Sequence, residues 1–258
     1  MKRFLLFLLS CAAMAATGVA AERAPATPMP PDQIIARMEQ RFLKQVQELK
    51  SYQDERRYSV SHRLLGNSTY WRVEEDYASP GEKRFTVLER GGSGTVQKRV
   101  FARLLEVERE TAREAVRSQV DLSRNNYDFT YLGFDEAAHA YKFQASPRGK
   151  NDYLLRGTIW VNADDFAVQR IEGEPATRHS ILIQHVRFVH EFAKFGDLWF
   201  PVHHHSETEL RLFGTATLEI VYSDYHWQEN DARREAEQPL ASAMHSTDSR
   251  REMREEKQ

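Results

Sequence analysis

Apolar and polar residues alternate with a period of two through most of the chain, and the alternating segments are joined by connections too short to hold a crossover helix. Tyr58, Val60, His62 and Leu64 share one face of the first segment. Trp71, Val73 and Tyr77 share a face of the second, and Phe85 and Val87 follow in the third. Further on come Phe129 and Tyr131, then Tyr141 and Phe143, then Leu155, Gly157, Ile159 and Val161. Phe166, Val168 and Ile171 lie beyond the turn signal Asn162-Ala163-Asp164-Asp165. The last three segments are the longest: Ile181 to Phe192, Leu198 to Leu212, and Ala216 to Asp224, with Ala216, Leu218, Ile220 and Tyr222 on one side. This predicts about ten strands in a meander, and short links make neighbouring strands antiparallel.

Two segments break the pattern with helical spacing. Ile34, Ile35, Met38, Phe42, Val46 and Leu49 form one apolar stripe behind a Pro31-Asp32 start signal. Val96, Val100, Phe101, Leu104, Leu105, Ala112 and Ala115 form another, after the Gly91-Gly92-Ser93-Gly94 breaker and with Thr95 as the expected cap. A sheet of this size has to curl or split, and its edges need protection. Two helices are too few to coat both of its faces. The economical fold is mostly β within the α+β class: a curved antiparallel half-barrel with both helices over its concave face. A closed barrel is the rival. A curved sheet under a helical lid leaves an apolar cleft, which is a ligand site by shape.

The ends of the chain bear on where it works. Lys2 and Arg3, the apolar run Phe4 to Leu9 and the small residues before Glu22 have the form of a secretory signal peptide over residues 1–21. The mature chain is then expected in the periplasm or outside the cell. Cys11, the only cysteine, is lost with this segment, so no disulfide supports the fold. Leu8-Leu9-Ser10-Cys11 loosely resembles a lipobox, which makes an outer-membrane lipoprotein anchored at Cys11 the alternative. Residues 22–31 form a proline-rich linker and residues 32–227 the folded domain. The charged stretch 228–258 is too poor in apolar residues to offset its ordering entropy. Without Lys2 and Arg3 the chain has 34 basic and 38 acidic residues, a balance that argues against nucleic-acid binding. No later segment has an apolar run of membrane-spanning length.

The order of elements resembles the LolA-like superfamily of lipoprotein-sorting proteins: signal peptide, helix, three strands, inserted helix, long meander. The resemblance is densest from Asn125-Asn126-Tyr127-Asp128-Phe129 to Tyr225. It includes Ser146-Pro147, Leu154-Leu155-Arg156-Gly157-Thr158-Ile159-Trp160-Val161, Phe166-Ala167-Val168-Gln169-Arg170-Ile171, Gly196-Asp197-Leu198-Trp199-Phe200-Pro201, Phe213-Gly214 and Asp224-Tyr225. These are turn and core motifs, not catalytic ones. The resemblance implies an open half-barrel whose concavity holds acyl chains of a lipid or lipoprotein. Release is expected when the lid opens, at a membrane or on an envelope protein acceptor. The lid arginine of the carrier has no counterpart that can be placed on this chain, so the carrier's partners are not implied.

The candidate lipid-binding residues are Trp71, Phe85, Phe129, Tyr131, Trp160 and Phe188, with Met38 and Phe42 on the lid helix. For any one of these aromatics, ordinary core packing is the competing explanation. His203-His204-His205 invites a metal reading, but strand neighbours point to opposite faces, so only His203 and His205 can converge, with His190 as the nearest third ligand. Glu74-Glu75 and Asp164-Asp165 are paired carboxylates, the second pair in a turn where Asp is favoured for its own hydrogen bonding. No nucleophile elbow or P-loop is present. The expectation is a non-enzymatic carrier with no cofactor. Alternatives are an envelope sensor or scaffold that binds a protein at a sheet edge, and a metal-dependent enzyme built on the histidine run.

Overall fold

The computed structural model describes residues 29–62, 68–177, 183–211 and 214–230. The expected signal peptide, most of the linker and nearly all of the charged tail lie outside these residues. Helix α1 (Pro31–Glu48) leads directly into β1 (Leu49–His62), followed by β2 (Thr69–Ala78) and β3 (Glu82–Gly91). The inserted helical segment comprises α2 (Gly94–Val96), a π-helical turn (Gln97–Phe101), α3 (Ala102–Ala112) and α4 (Glu114–Arg117). The meander follows: β4 (Tyr127–Asp135), β5 (Ala140–Pro147), β6 (Leu155–Asn162), β7 (Val168–Pro175), β8 (Ile183–Phe195), β9 (Leu198–Leu210) and β10 (Gly214–Glu229). The last strand runs two residues past the expected domain end.

All ten strands join one sheet in the order β3-β2-β1-β10-β9-β8-β7-β6-β5-β4, every pair antiparallel. The sheet does not close on itself, so the half-barrel forms and the closed barrel does not. Pairing β1 with β10 brings the two ends of the domain together and makes β3 and β4 the edge strands among the described residues.

The start of α1 is as expected, with Pro31 in its first turn and Asp32 favouring the positive end of the helix dipole. The inserted segment differs in two ways. Its cap is Ser93, whose hydroxyl accepts from the Val96 amide, rather than Thr95. It also breaks at Arg113, so Ala115 belongs to a separate short helix.

The two helices fill different halves of the concave face. Ile34, Ile35 and Met38 of α1 pack on Tyr127, Phe143, Ile159, Val161 and Ile171. Phe101 and Leu105 of the inserted segment pack on Tyr58, Val60, Trp71, Val73, Ile220 and Tyr222. A third cluster joins Leu49, Tyr77, Leu198 and Phe200. It is mostly aromatic: Phe200 stacks on Tyr225 at 4.7 Å, and the Tyr225 hydroxyl donates to the Pro201 carbonyl at 2.7 Å.

Tyr225 reaches that cluster through a bulge. Between Gln53 and Glu55, β1 offers one residue opposite two of β10, and Asp224 takes a left-handed φ of 54° there. The alternation shifts by one, so Ile220 and Tyr222 before the bulge and Tyr225 and Trp227 after it all reach the core.

Where the inserted helix meets β1, β2 and β3 lies a polar seam. Arg56, 2 % exposed, forms ion pairs with Asp54, Glu75 and Glu108, and its guanidinium lies 4.8 Å from the Tyr222 ring centre. Lys83 adds an ion pair to Glu75 at 2.8 Å, and Tyr52 donates to the same carboxylate at 2.6 Å. Burial alone would raise the Glu108 carboxyl, but Arg56 and Lys83 outweigh it and hold it near 2. Burial wins at Asp54, which is raised to about 6.

Candidate functional site

An apolar cavity of about 340 Å³ opens beside α1, between that helix and the inner faces of β6, β7 and β8. Met38, Phe42, Val120, Leu122, Leu155, Val168, Ile171 and Phe192 supply its apolar lining. Phe42 is 41 % exposed, so the cavity opens to solvent along this side of α1. Its volume lies at the lower end of the ~300–1,000 Å³ typical of small-molecule sites. It is more than twice the ~150 Å³ of an apolar cavity that takes a benzene. One slim hydrocarbon segment fits; a bundle of chains does not.

Two glycines meet where β6 pairs with β7. Gly157 of β6 faces Gly173 of β7, and the strands approach so closely that a Cβ on Gly157 would land on the Glu172 carbonyl and 2.6 Å from the Gly173 Cα. Phe188 pairs with Gly173 from the other side, placing a large ring next to the residue that lacks one.

The polar groups of the lining are mostly satisfied. Gln45 makes two hydrogen bonds with the Trp199 backbone, donating to its carbonyl at 2.8 Å and accepting from its amide at 3.0 Å. Asp121 accepts from Ser123 and Asn126. Tyr153 donates to Glu110. Arg41 donates through Nη2 to the Asp197 carbonyl, while its Nη1 is buried with no partner among the described residues. Gln45 and Arg41 thus tie α1 to the β8–β9 turn, through side chains rather than core packing.

Of the eight candidate lipid-binding residues, Met38 and Phe42 line the cavity. Phe129 packs against the adjoining core, and Tyr131 sits near the free edge, 41 % exposed with its ring 5.2 Å from that of Phe143. The Phe188 ring is on the inner face but stacks on His204. Trp71 and Phe85 belong to the filled half under the inserted helix, where Trp71 lies 5.4 Å from Phe101. Trp160 is on the outer face, between Lys142 and Arg170, with its indole N–H donating to Asp135. Its neighbours Ile159 and Val161 take the inner positions, as alternation requires.

The histidines divide in the same way. His203 and His205 both hydrogen-bond Glu219 on the outer face. His190 instead pairs with His204 on the inner face, so it does not serve as a third ligand to the other two. Among the described residues no three His, Cys, Asp or Glu side chains are placed to hold a metal ion. The carboxylate pairs separate too. Asp165 accepts from Trp199 and Lys194, its partner Asp164 contacts His139, and Glu75 is spent in the buried seam.

A family of unknown function, DUF5686, matches residues 121–226. No curated protein matches the chain. Solved structures similar to it include an outer membrane lipoprotein-sorting protein domain from Vibrio parahaemolyticus, at 11% identity and TM-score 0.46, covering 76% of this chain and 93% of that one. A LolA-superfamily protein from Nitrosomonas europaea shares 10% identity at TM-score 0.42, with 77% and 94% covered. A DUF1329 family protein from Desulfovibrio piger shares 12% at TM-score 0.40, with 76% and 90% covered. The fold of this chain is established by its own strand order.

His190 and His204 give the inner face a pH dependence. The His190 ring stacks with Phe192 and Tyr222, and its Nε2 is buried without a partner among the described residues. Burial, then the neighbouring His204, lower it from 6.5 to about 3. Burial lowers His204 to about 4, against the opposing pull of Glu108. Both pKa values are depressed, so their contribution to stability is present above pH 6.5 and is lost as pH falls through 4 and then 3. Unfolding near pH 5 should take up protons at both rings. In His190→Phe, which keeps the stack, urea unfolding between pH 7 and pH 4 should show about one proton less of that uptake. An unchanged slope would mean that His190 is not held neutral.

Proposed function

We propose that this protein holds the hydrocarbon tail of a lipid in the cavity beside α1, as a carrier working outside the cytoplasm. The observation that supports this most is an open apolar cavity in a sheet whose other half is filled by the protein's own helix. Transfer is physical: each methylene moved out of water contributes about 0.8 kcal/mol, so eight of them contribute roughly 6 kcal/mol before ordering costs. Helix α1 is the lid, and the Gln45 and Arg41 bonds to the β8–β9 turn are its catch. Release requires those bonds to break, as at a membrane surface or on an acceptor. Among the described residues no helix is long and apolar enough to cross a membrane.

The test is native mass spectrometry of gently purified protein, with organic extraction of the same sample and uptake of a fluorescent fatty acid. Co-purifying lipid or saturable uptake is the expected outcome. An apo mass together with no uptake would end the carrier reading. Filling the cavity with Ala167→Phe, at a buried position in its wall, should reduce uptake at least tenfold while leaving the far-UV spectrum intact.

A second reading rests on β4, an edge strand among the described residues, which exposes Tyr131, Leu132 and Phe134. A partner segment adding a strand there would make the protein a scaffold. Substituting Leu132 with Lys would then abolish capture of that partner and leave lipid uptake unchanged.

A further inference from the structure

One cation lines the cavity, and among the described residues one of its polar atoms is unanswered. Arg41 Nη1 is buried and has no hydrogen-bond partner among the described residues, whereas its Nη2 is engaged by the Asp197 carbonyl. No carboxylate among the described residues makes an ion pair with Arg41. The other charged group of the lining, Asp121, already accepts from Ser123 and Asn126. A buried guanidinium donor without an acceptor is costly, more so than a neutral one. It sits one residue from exposed Phe42, where the cavity meets solvent.

From this we infer that the ligand is an anionic single-chain amphiphile: its tail fills the apolar cavity and an oxyanion of its head accepts from the Arg41 guanidinium. The inference rests on the carrier reading and narrows it. A charge-assisted bond to a planar fork selects a carboxylate or a phosphate over a hydroxyl. The cavity's size selects one tail over several. Two sources supply such a head, a free fatty acid and a phosphate monoester of a long-chain alcohol.

The experiment is titration of the full-length mature protein with dodecanoate, dodecyl phosphate and dodecanol, each below its aggregation limit. The readout is the fluorescence of Trp199, which lines the cavity; a Trp199→Phe control identifies its part of the signal. The expected result is that an anionic probe binds at least tenfold tighter than dodecanol. The tighter of the two anions identifies the source. In Arg41→Gln that preference should vanish. Arg41→Lys should restore part of the preference, because it keeps the charge and loses the fork. The wild-type comparison needs no variant, so a folding defect in Arg41→Gln leaves the test standing. Equal binding of dodecanol and both anions would overturn the Arg41 inference and leave the carrier reading intact. Binding of none of the three would overturn both.

Discussion

Replacing Arg56 with methionine is expected to cost about 3–5 kcal/mol of folding stability, read as a fall in the urea midpoint at pH 7. The guanidinium is the shared partner of Asp54, Glu75 and Glu108, in the seam where sheet and inserted helix meet. Without it three carboxylates face one remaining cation, Lys83. Methionine fills much of the volume, so the loss reports uncompensated charge rather than a void. Two further outcomes separate that cause from simple packing. The stranded carboxylates gain raised pKa values in the folded variant, so its stability is lost as pH rises, and the deficit should widen from pH 5 to pH 8. Adding Glu75→Gln should recover part of the loss, because it removes one of the stranded charges. A pH-independent deficit would place the effect in packing instead.

Gly157→Val is expected to be comparably severe, about 3 kcal/mol or more, or on the order of 10 °C in Tm. The obstacle is backbone on the facing strand, which cannot move aside as a side chain can. Relief would require β6 and β7 to separate. Gly173→Ala should cost less, since its nearest contact is longer. Gly149→Ala, with no atom within 4 Å of the added carbon, should change stability by no more than about 0.5 kcal/mol. If Gly157→Val matched Gly149→Ala, the close approach of the two strands would be refuted.

Much of the architecture could be read from alternation, because an antiparallel meander with one buried face writes its period directly into the chain. The Asn162 turn illustrates the point: the Asn162 side chain accepts from the Asp164 and Asp165 amides, as turn chemistry suggests. Alternation does not say which face is concave, and that is why Trp160 stood among the lipid candidates although it lies outside. Nor does it show a phase change at a bulge, so the inward turn of Tyr225 and Trp227 was hidden behind Asp224. The seam was hard to see because Asp54, Arg56 and Glu75 look like ordinary solvent-facing strand charges until pairing sets them opposite Val73, Tyr222 and one another.

The cavity was half legible. Met38 and Phe42 declared themselves as an apolar stripe. Arg41 and Gln45 lie on the same stripe, three and seven residues beyond Met38, and a charged residue in that register was the available signal for a polar contact at the site. Phe192 and Trp199 reach the cavity only through the long-range register of β8 and β9, which no local pattern encodes.

The most direct test of the cavity as the lipid site is photo-crosslinking with a fatty acid that carries a diazirine near the end of its tail, followed by peptide mapping. Adducts on Met38, Val168, Ile171 or Phe192, competed away by unlabelled dodecanoate, are the expected result. Adducts confined to the Trp71–Phe101 half or to the outer face around Trp160 would contradict it.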